Sequence, residues 1–115
     1  MGEIAYTKYL TKELKRCNAE VWTLSASARQ SPGIPDRYIS HAYWVGWVEF
    51  KGVNTPTKPL QRRFIRFANR LHLTAVIVRE GGRIEDHNNE LLAEFDNSGL
   101  GLLQSLQILS RSFDK

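Results

Sequence analysis

The chain has 115 residues, 42% of them hydrophobic, which suits one domain spanning 1–115 with a real core and leaves too little for two. The 16 basic and 12 acidic residues give a net charge of +4, a balance that favours a polyanionic partner without requiring one. A single cysteine, Cys17, excludes an internal disulfide and a cysteine-based zinc site, while acidic Glu3 and the lack of a long apolar run argue against a signal peptide or membrane span, so a soluble, intracellular (cytoplasmic) protein with no membrane partner is expected.

From Glu3 to Cys17, the residues Ile4, Tyr6, Leu10, Leu14 and Cys17 recur at spacings of about three and four, which predicts an amphipathic helix stopped by Asn18. Val21 to Leu24 is short, apolar and β-prone and reads as a first strand. Ser25 to Pro35 is rich in Ser, Gly and Pro, a loop long enough to be functional, and it carries Arg29 and Gln30 directly towards Asp36. Asp36 to Ser40 reads as a second strand and His41 to Tyr43 as a tight connection. Trp44 to Lys51 is then a third strand, antiparallel to the second and central in the sheet.

Gly52 to Lys58 is a second loop, with Thr57 expected to cap a helix that takes Pro59 in its first turn, where a missing N–H costs nothing. In that helix Leu60, Phe64, Phe67, Ala68 and Leu71 make the apolar side. Arg62, Arg66 and Arg70 fall at i, i+4 and i+8 on one line, and Gln61 sits in the first turn. Thr74 to Arg79 is a β-branched run placed parallel to strand three by a β-α-β crossover, and Gly81-Gly82 ends it. Arg83 to Phe95 fits either a hairpin turning at Asn88-Asn89 or a helix through Leu92. Ser98 then caps a closing helix whose Leu100, Leu103, Leu106, Ile108 and Leu109 must cover either the chain's own sheet or a partner.

The chemistry concentrates in the third strand. Residues two apart in a strand share a face, so Glu49 and Lys51 project together, and Asp36 at the head of the neighbouring antiparallel strand comes beside Glu49. Two carboxylates and an amine so placed are the kind of cluster that holds a hard divalent cation, Mg²⁺ or Mn²⁺. The plain alternative has Asp36 capping a turn and Glu49 paired with Lys51 on a solvated sheet edge. Trp44 is assigned to the core, whereas Trp47 shares the Glu49 face. The histidines His41, His72 and His87 are too scattered for a metal site.

Pro35-Asp36, twelve intervening residues, Glu49-Phe50-Lys51, and Gln61 opening a helix ten residues later together resemble the PD-(D/E)XK nuclease superfamily and, within it, the VRR-NUC family of compact nuclease domains. The resemblance covers roughly residues 3–79, and the part from Gly81 onward carries no family motif. It implies an α/β fold with a restriction-endonuclease-like core, a mixed central β-sheet flanked by helices in the order αβββαβ. It also implies metal-dependent hydrolysis of DNA, with Asp36 and Glu49 as metal ligands and Glu3 as the matching acid of the first helix. The backbone carbonyl of Phe50, lying between Glu49 and Lys51, is a natural third oxygen on either ground. Lys51 has two jobs open to it, orienting the attacking water or neutralising phosphate charge, and Gln61 can bond the same water or a phosphate. Arg29, Gln30, Arg62, Arg66 and Arg70 are the candidate DNA contacts. Stand-alone family members of this length resemble dimeric enzymes that cut Holliday junctions, and symmetric cleavage of a four-way junction needs two sites related by a two-fold axis, hence a homodimer. A nuclease for flap or linear duplex DNA and a non-catalytic DNA-binding module are the alternatives.

Overall fold

A computed structural model describes residues 1–24 and 33–114. It contains α1 (Glu3–Arg16), β1 (Glu20–Thr23), β2 (Arg37–Ser40), β3 (Val45–Lys51), α2 (Pro59–Ala68), β4 (Ala75–Arg79), β5 (Arg83–Glu85), β6 (Leu91–Glu94) and α3 (Gly99–Phe113). The expected αβββαβ order therefore runs through β4, and a hairpin and a helix extend it. The six strands form one mixed sheet in which spatial order follows chain order, all neighbours being antiparallel except the parallel β3–β4 pair. Among the described residues no helix is long and apolar enough to cross a membrane.

Periodicity explains most of these elements. In α1 the spacing of three and four brings Tyr6, Leu10 and Leu14 to one buried side. Asn18 stops the helix, as expected, by taking a left-handed φ of 65°, a conformation asparagine tolerates better than most residues. The β2–β3 connection is closed by reciprocal backbone bonds between His41 and Trp44, at 3.0 and 3.2 Å. Trp44 is buried as expected, and its indole N–H donates to the Leu73 carbonyl at 2.9 Å. Between α2 and β4, Asn69 fixes the turn. Its Oδ1 accepts from the Thr74 and Ala75 amides, both at 2.8 Å, and its Nδ2 donates to the Ala75 carbonyl at 2.6 Å.

The helices divide between the two faces of the sheet. Leu10 and Leu14 of α1 and Leu102, Leu103 and Leu106 of α3 pack with Ile39, Val48, Phe50, Val76, Val78 and Ile84 on one face. Each such side chain contributes about 1.5–3 kcal/mol by leaving water. The other face is covered by α2, where Ile65 is buried with Ala75 and Ile77, flanked by Trp47, Phe64 and Ala68. The two helices of the first face approach so closely at Gly99 that a Cβ there would lie 2.5 Å from the Glu13 carbonyl oxygen, which only glycine avoids.

Several sequence expectations need correction. Ile4 does not join the buried side of α1, being 75% exposed. Thr57 is not the cap of α2. Lys58 holds that position, and the Thr57 hydroxyl instead accepts from Asn89 Nδ2 at 2.8 Å. Leu60 and Phe67 are exposed, because α2 turns Ile65 to the sheet, and the helix ends at Ala68, so Arg70 and the exposed Leu71 lie beyond it. Arg83 to Phe95 resolves as the β5–β6 hairpin. Asp86 Oδ1 accepts from the Asn88 and Glu90 amides at 2.8 and 3.0 Å, and Asn89 takes φ 62°. Ser98 caps α3 as expected, its hydroxyl accepting from the Gly101 amide at 2.9 Å. The α3 leucines Leu102, Leu103 and Leu106 are spent on the chain's own core, leaving Leu100 and Ile108 exposed.

Candidate active site

The antiparallel register of β2 and β3 pairs Arg37 with Val48 and stops there. One residue back from Arg37 is Asp36 and one forward from Val48 is Glu49, so the two acids meet where β2 ends. On its other side β3 stays paired, Glu49 with Ile77 and Lys51 with Arg79 of β4. The Lys51 carbonyl accepts from the Glu80 amide at 2.8 Å, so the backbone groups of Lys51 point to β4 and the carbonyl of Phe50, one residue earlier, points away, towards the side that β2 has vacated.

A cavity of about 170 Å³ opens at this fork, and Glu3, Asp36, Glu49 and Phe50 are among the residues that line it. Glu3 arrives from the first turn of α1, with its backbone and Cβ beside Gly52. Lys51 Nζ lies 3.6 Å from Glu49 Oε2, both side chains being buried. Arg37, on the opposite face of β2 from Asp36, wraps back to place Nη1 at 2.7 Å from Asp36 Oδ2. Glu49 Oε1, Glu3 Oε1 and Arg37 Nε are buried without a hydrogen-bond partner.

Unsatisfied buried carboxylate oxygens are costly unless something completes them. Among the described residues no three His, Cys, Asp or Glu side chains come together as a ready-made metal cluster. The donor set nevertheless fits a Mg²⁺-sized ion, which is held by one or two carboxylates and keeps several waters or substrate oxygens. Asp36, Glu49 and the Phe50 carbonyl can supply that set, with Glu3 behind them.

The Glu49 carboxyl is raised to about 7, chiefly by burial, with the Lys51 ammonium pulling against it and the charges of Asp36 and Glu3 adding to the rise. A raised folded-state value means that stability is fully present below the unfolded pKa near 4.5 and is lost as pH rises towards 7. Comparing metal-free wild type with Glu49→Gln by denaturant titration should show the two parallel below about pH 4.5, with the variant gaining roughly 3 kcal/mol by pH 8. A stability difference that does not change across that window would show that Glu49 ionises normally.

The other predicted residues are placed differently. Gln61 is not among the cavity residues, and its Oε1 accepts from the Lys58 amide at 3.1 Å at the head of α2. Arg62 reaches Asn89 Oδ1 at 3.2 Å, while Arg63, Arg66 and Arg70 border an exposed cleft around Phe67, with the Arg70 guanidinium 4.2 Å above the Phe67 ring. Arg29 and Gln30 lie outside the described residues. Trp47 packs edge-on against Tyr38 and Phe64, with centroids 4.8 and 5.9 Å away.

Two contributors escaped the sequence reading. Arg37 could have been found from alternation, since it shares a strand face with Ile39 and so must look towards α1. The second is a buried cluster behind Lys51. Arg79 Nε donates to Glu85 Oε1 and Oε2 at 3.0 and 3.1 Å, and its Nη1 donates to the Gly52 and Thr55 carbonyls at 2.8 and 2.7 Å. It anchors the loop that leaves the strand immediately after Lys51.

Comparison with known proteins gives no match to any family model, curated protein or solved structure.

Proposed function

We propose that the protein is a Mg²⁺- or Mn²⁺-dependent endodeoxyribonuclease with a restriction-endonuclease-like core, cutting branched DNA of the Holliday-junction kind as a homodimer. The observation that carries this reading is that Glu3, Asp36 and Glu49 line one cavity at the end of β2 with two carboxylate oxygens left unsatisfied, while Lys51, not itself a lining residue, stands 3.6 Å from Glu49. A structural ion pair would have closed on itself; this one leaves acceptors over.

When bound, the cation supplies Lewis-acid stabilisation of the phosphoryl oxygens and a water of lowered pKa. Asp36, Glu49 and the Phe50 carbonyl hold it. The Lys51 ammonium stands beside Glu49, where it offsets carboxylate charge and donates to a phosphate oxygen or to the attacking water. The buried setting of Glu49 and Lys51 keeps bulk water away and strengthens each of these contacts. Gln61 stands outside the cavity with its Oε1 bonded to the Lys58 amide, leaving its Nε2 donors for a phosphate that reaches the head of α2. Arg62 and Arg66 are exposed on α2, and Arg70, just past its end at Ala68, joins Arg66 at the Phe67 cleft, so the arginines offer exposed cations for a phosphate backbone without forming one helical line.

The test incubates the protein with labelled four-way junction, flap and linear duplex in Mg²⁺, Mn²⁺ or EDTA, with mass measured by light scattering. Paired, symmetric, metal-dependent nicks in the junction by a dimer are expected. Equal cutting of linear duplex would remove the junction selectivity, and a monomer with or without DNA would remove two-strand resolution. Tight DNA association with no cutting in any metal would replace the enzyme by a binding module.

A further inference from the structure

We propose that the cleft between α1 and the β1–β2 edge of the sheet is a track for the sugar-phosphate backbone of the nucleic acid that enters the carboxylate site. The proposal rests on the nuclease reading above and adds a surface to it. The cleft has a volume of about 300 Å³, and it is lined by Lys8, Lys12 and Lys15 of α1, by Thr7 and Thr11 beside them, by Thr23 of β1 and by Arg37. Among the described residues no acid borders it. The one acid of this part of α1, Glu13, is engaged by Arg16 at 3.0 Å. Among the described residues none of the three lysines has an ion-pair partner.

The spacing suits a repeating anion. Lysines at i, i+4 and i+7 fall on one side of a helix, about 6 and 4.5 Å apart along its axis. That is between one and two axial repeats of the phosphates of a duplex strand, about 3.4 Å each. The hydroxyls of Thr7 and Thr11 add neutral donors of the kind that phosphate oxygens accept.

Continuity with the site favours nucleic acid over an acidic protein. Thr7, Lys8 and Arg37 line both this cleft and the cavity holding Glu3, Asp36 and Glu49, so a strand lying against α1 is delivered to the carboxylates. Arg37 sits at the join. Its Nη1 is bound to Asp36 Oδ2 at 2.7 Å, which fixes the guanidinium where cleft and cavity meet. Contacts of this kind set register and affinity and read no bases.

The test uses the double variant Lys12→Ala/Lys15→Ala, whose replaced side chains are exposed and lie outside the carboxylate cavity. Binding of four-way junction and linear duplex is measured in EDTA over about 50–200 mM salt, and cutting in Mg²⁺ is resolved into kcat and KM. Each lost phosphate contact lowers the slope of log K against log[salt] by about 0.9 on duplex and about 0.7 on single strands, so a shift of about 1.4–1.8 is expected, with KM raised and kcat unchanged. If the wild type cuts DNA and the double variant keeps the wild-type slope, the track is overturned and the nuclease stands. If the wild type does not cut and the double variant lowers the slope, the track stands and the nuclease is removed. Poly-glutamate displacing the protein from DNA at a lower charge concentration than competing single-stranded DNA would overturn the track in favour of an acidic protein partner.

Discussion

Lys51→Ala is expected to lower the rate of metal-dependent DNA cutting by at least about 10²-fold, and up to about 10³-fold, while leaving the protein folded. Two effects act in the same direction. The ammonium 3.6 Å from Glu49 disappears from the place where phosphoryl charge would develop. The downward pull on the Glu49 carboxyl disappears too, so an acid already raised to about 7 by burial holds its proton more firmly and becomes a poorer cation ligand at neutral pH. Single-turnover cutting, a metal-binding titration and circular dichroism on the same sample separate these effects. Full-rate cutting by a folded variant would place the active site elsewhere in the chain.

Arg79→Met is expected to cost about 3 kcal/mol of folding stability, because the buried Glu85 carboxylate then keeps only the half-exposed Arg83 and Asn89 as partners. Glu85 is 3% exposed and accepts from both Arg79 and Arg83, with Asn89 Nδ2 a further donor at 3.2 Å. Loss of Arg79 removes the most buried of these partners, takes the Thr55 carbonyl's donor, and leaves the Gly52 carbonyl only its 3.4 Å bond from the Thr55 amide. Replacing both members, Arg79→Met/Glu85→Leu, should recover most of the stability, since an apolar pair of similar volume is often neutral or better than a buried ion pair. It should not recover activity, because nothing then holds the loop that follows Lys51. Denaturant midpoints for the two single variants and the double give the coupling. Additive losses would mean the two side chains are independent.

The elements that were legible from sequence alone are those governed by local rules. The three-and-four spacing of Tyr6, Leu10 and Leu14, the hairpin around His41 to Trp44, the proline-led α2 and the Ser98 cap all depend on neighbours within a few residues. So does the Asp36–Glu49 encounter, which follows from strand register once a tight hairpin is granted. Long-range competition explains the failures. Thr57 looks like a cap until Asn89, distant in the chain, claims its hydroxyl. Leu60 and Phe67 have the spacing of a buried face, but α2 turns Ile65 and its flanks to the sheet, and Leu71 falls past the helix end at Ala68. Gln61 fails for a local reason, opening α2 outside the cavity and accepting from the Lys58 amide. The Arg79–Glu85 pair has no signature in the chain, because it forms only after β4 and β5 have zipped together across Gly81-Gly82.

The agreement between spatial and chain order of the strands also shapes how the molecule assembles. Each strand docks on the one made just before it, and the β2–β3 and β5–β6 connections are short enough to close on the microsecond scale of hairpins. The β3–β4 step is different, since residues 52–74 must be gathered in before the parallel ladder can form, with a correspondingly larger loss of chain entropy. Asp36 and Glu49 therefore come together early, within a local hairpin. Lys51 gains its anchored loop only when the slow crossover is complete, so a partly folded chain can gather its acids well before it becomes competent.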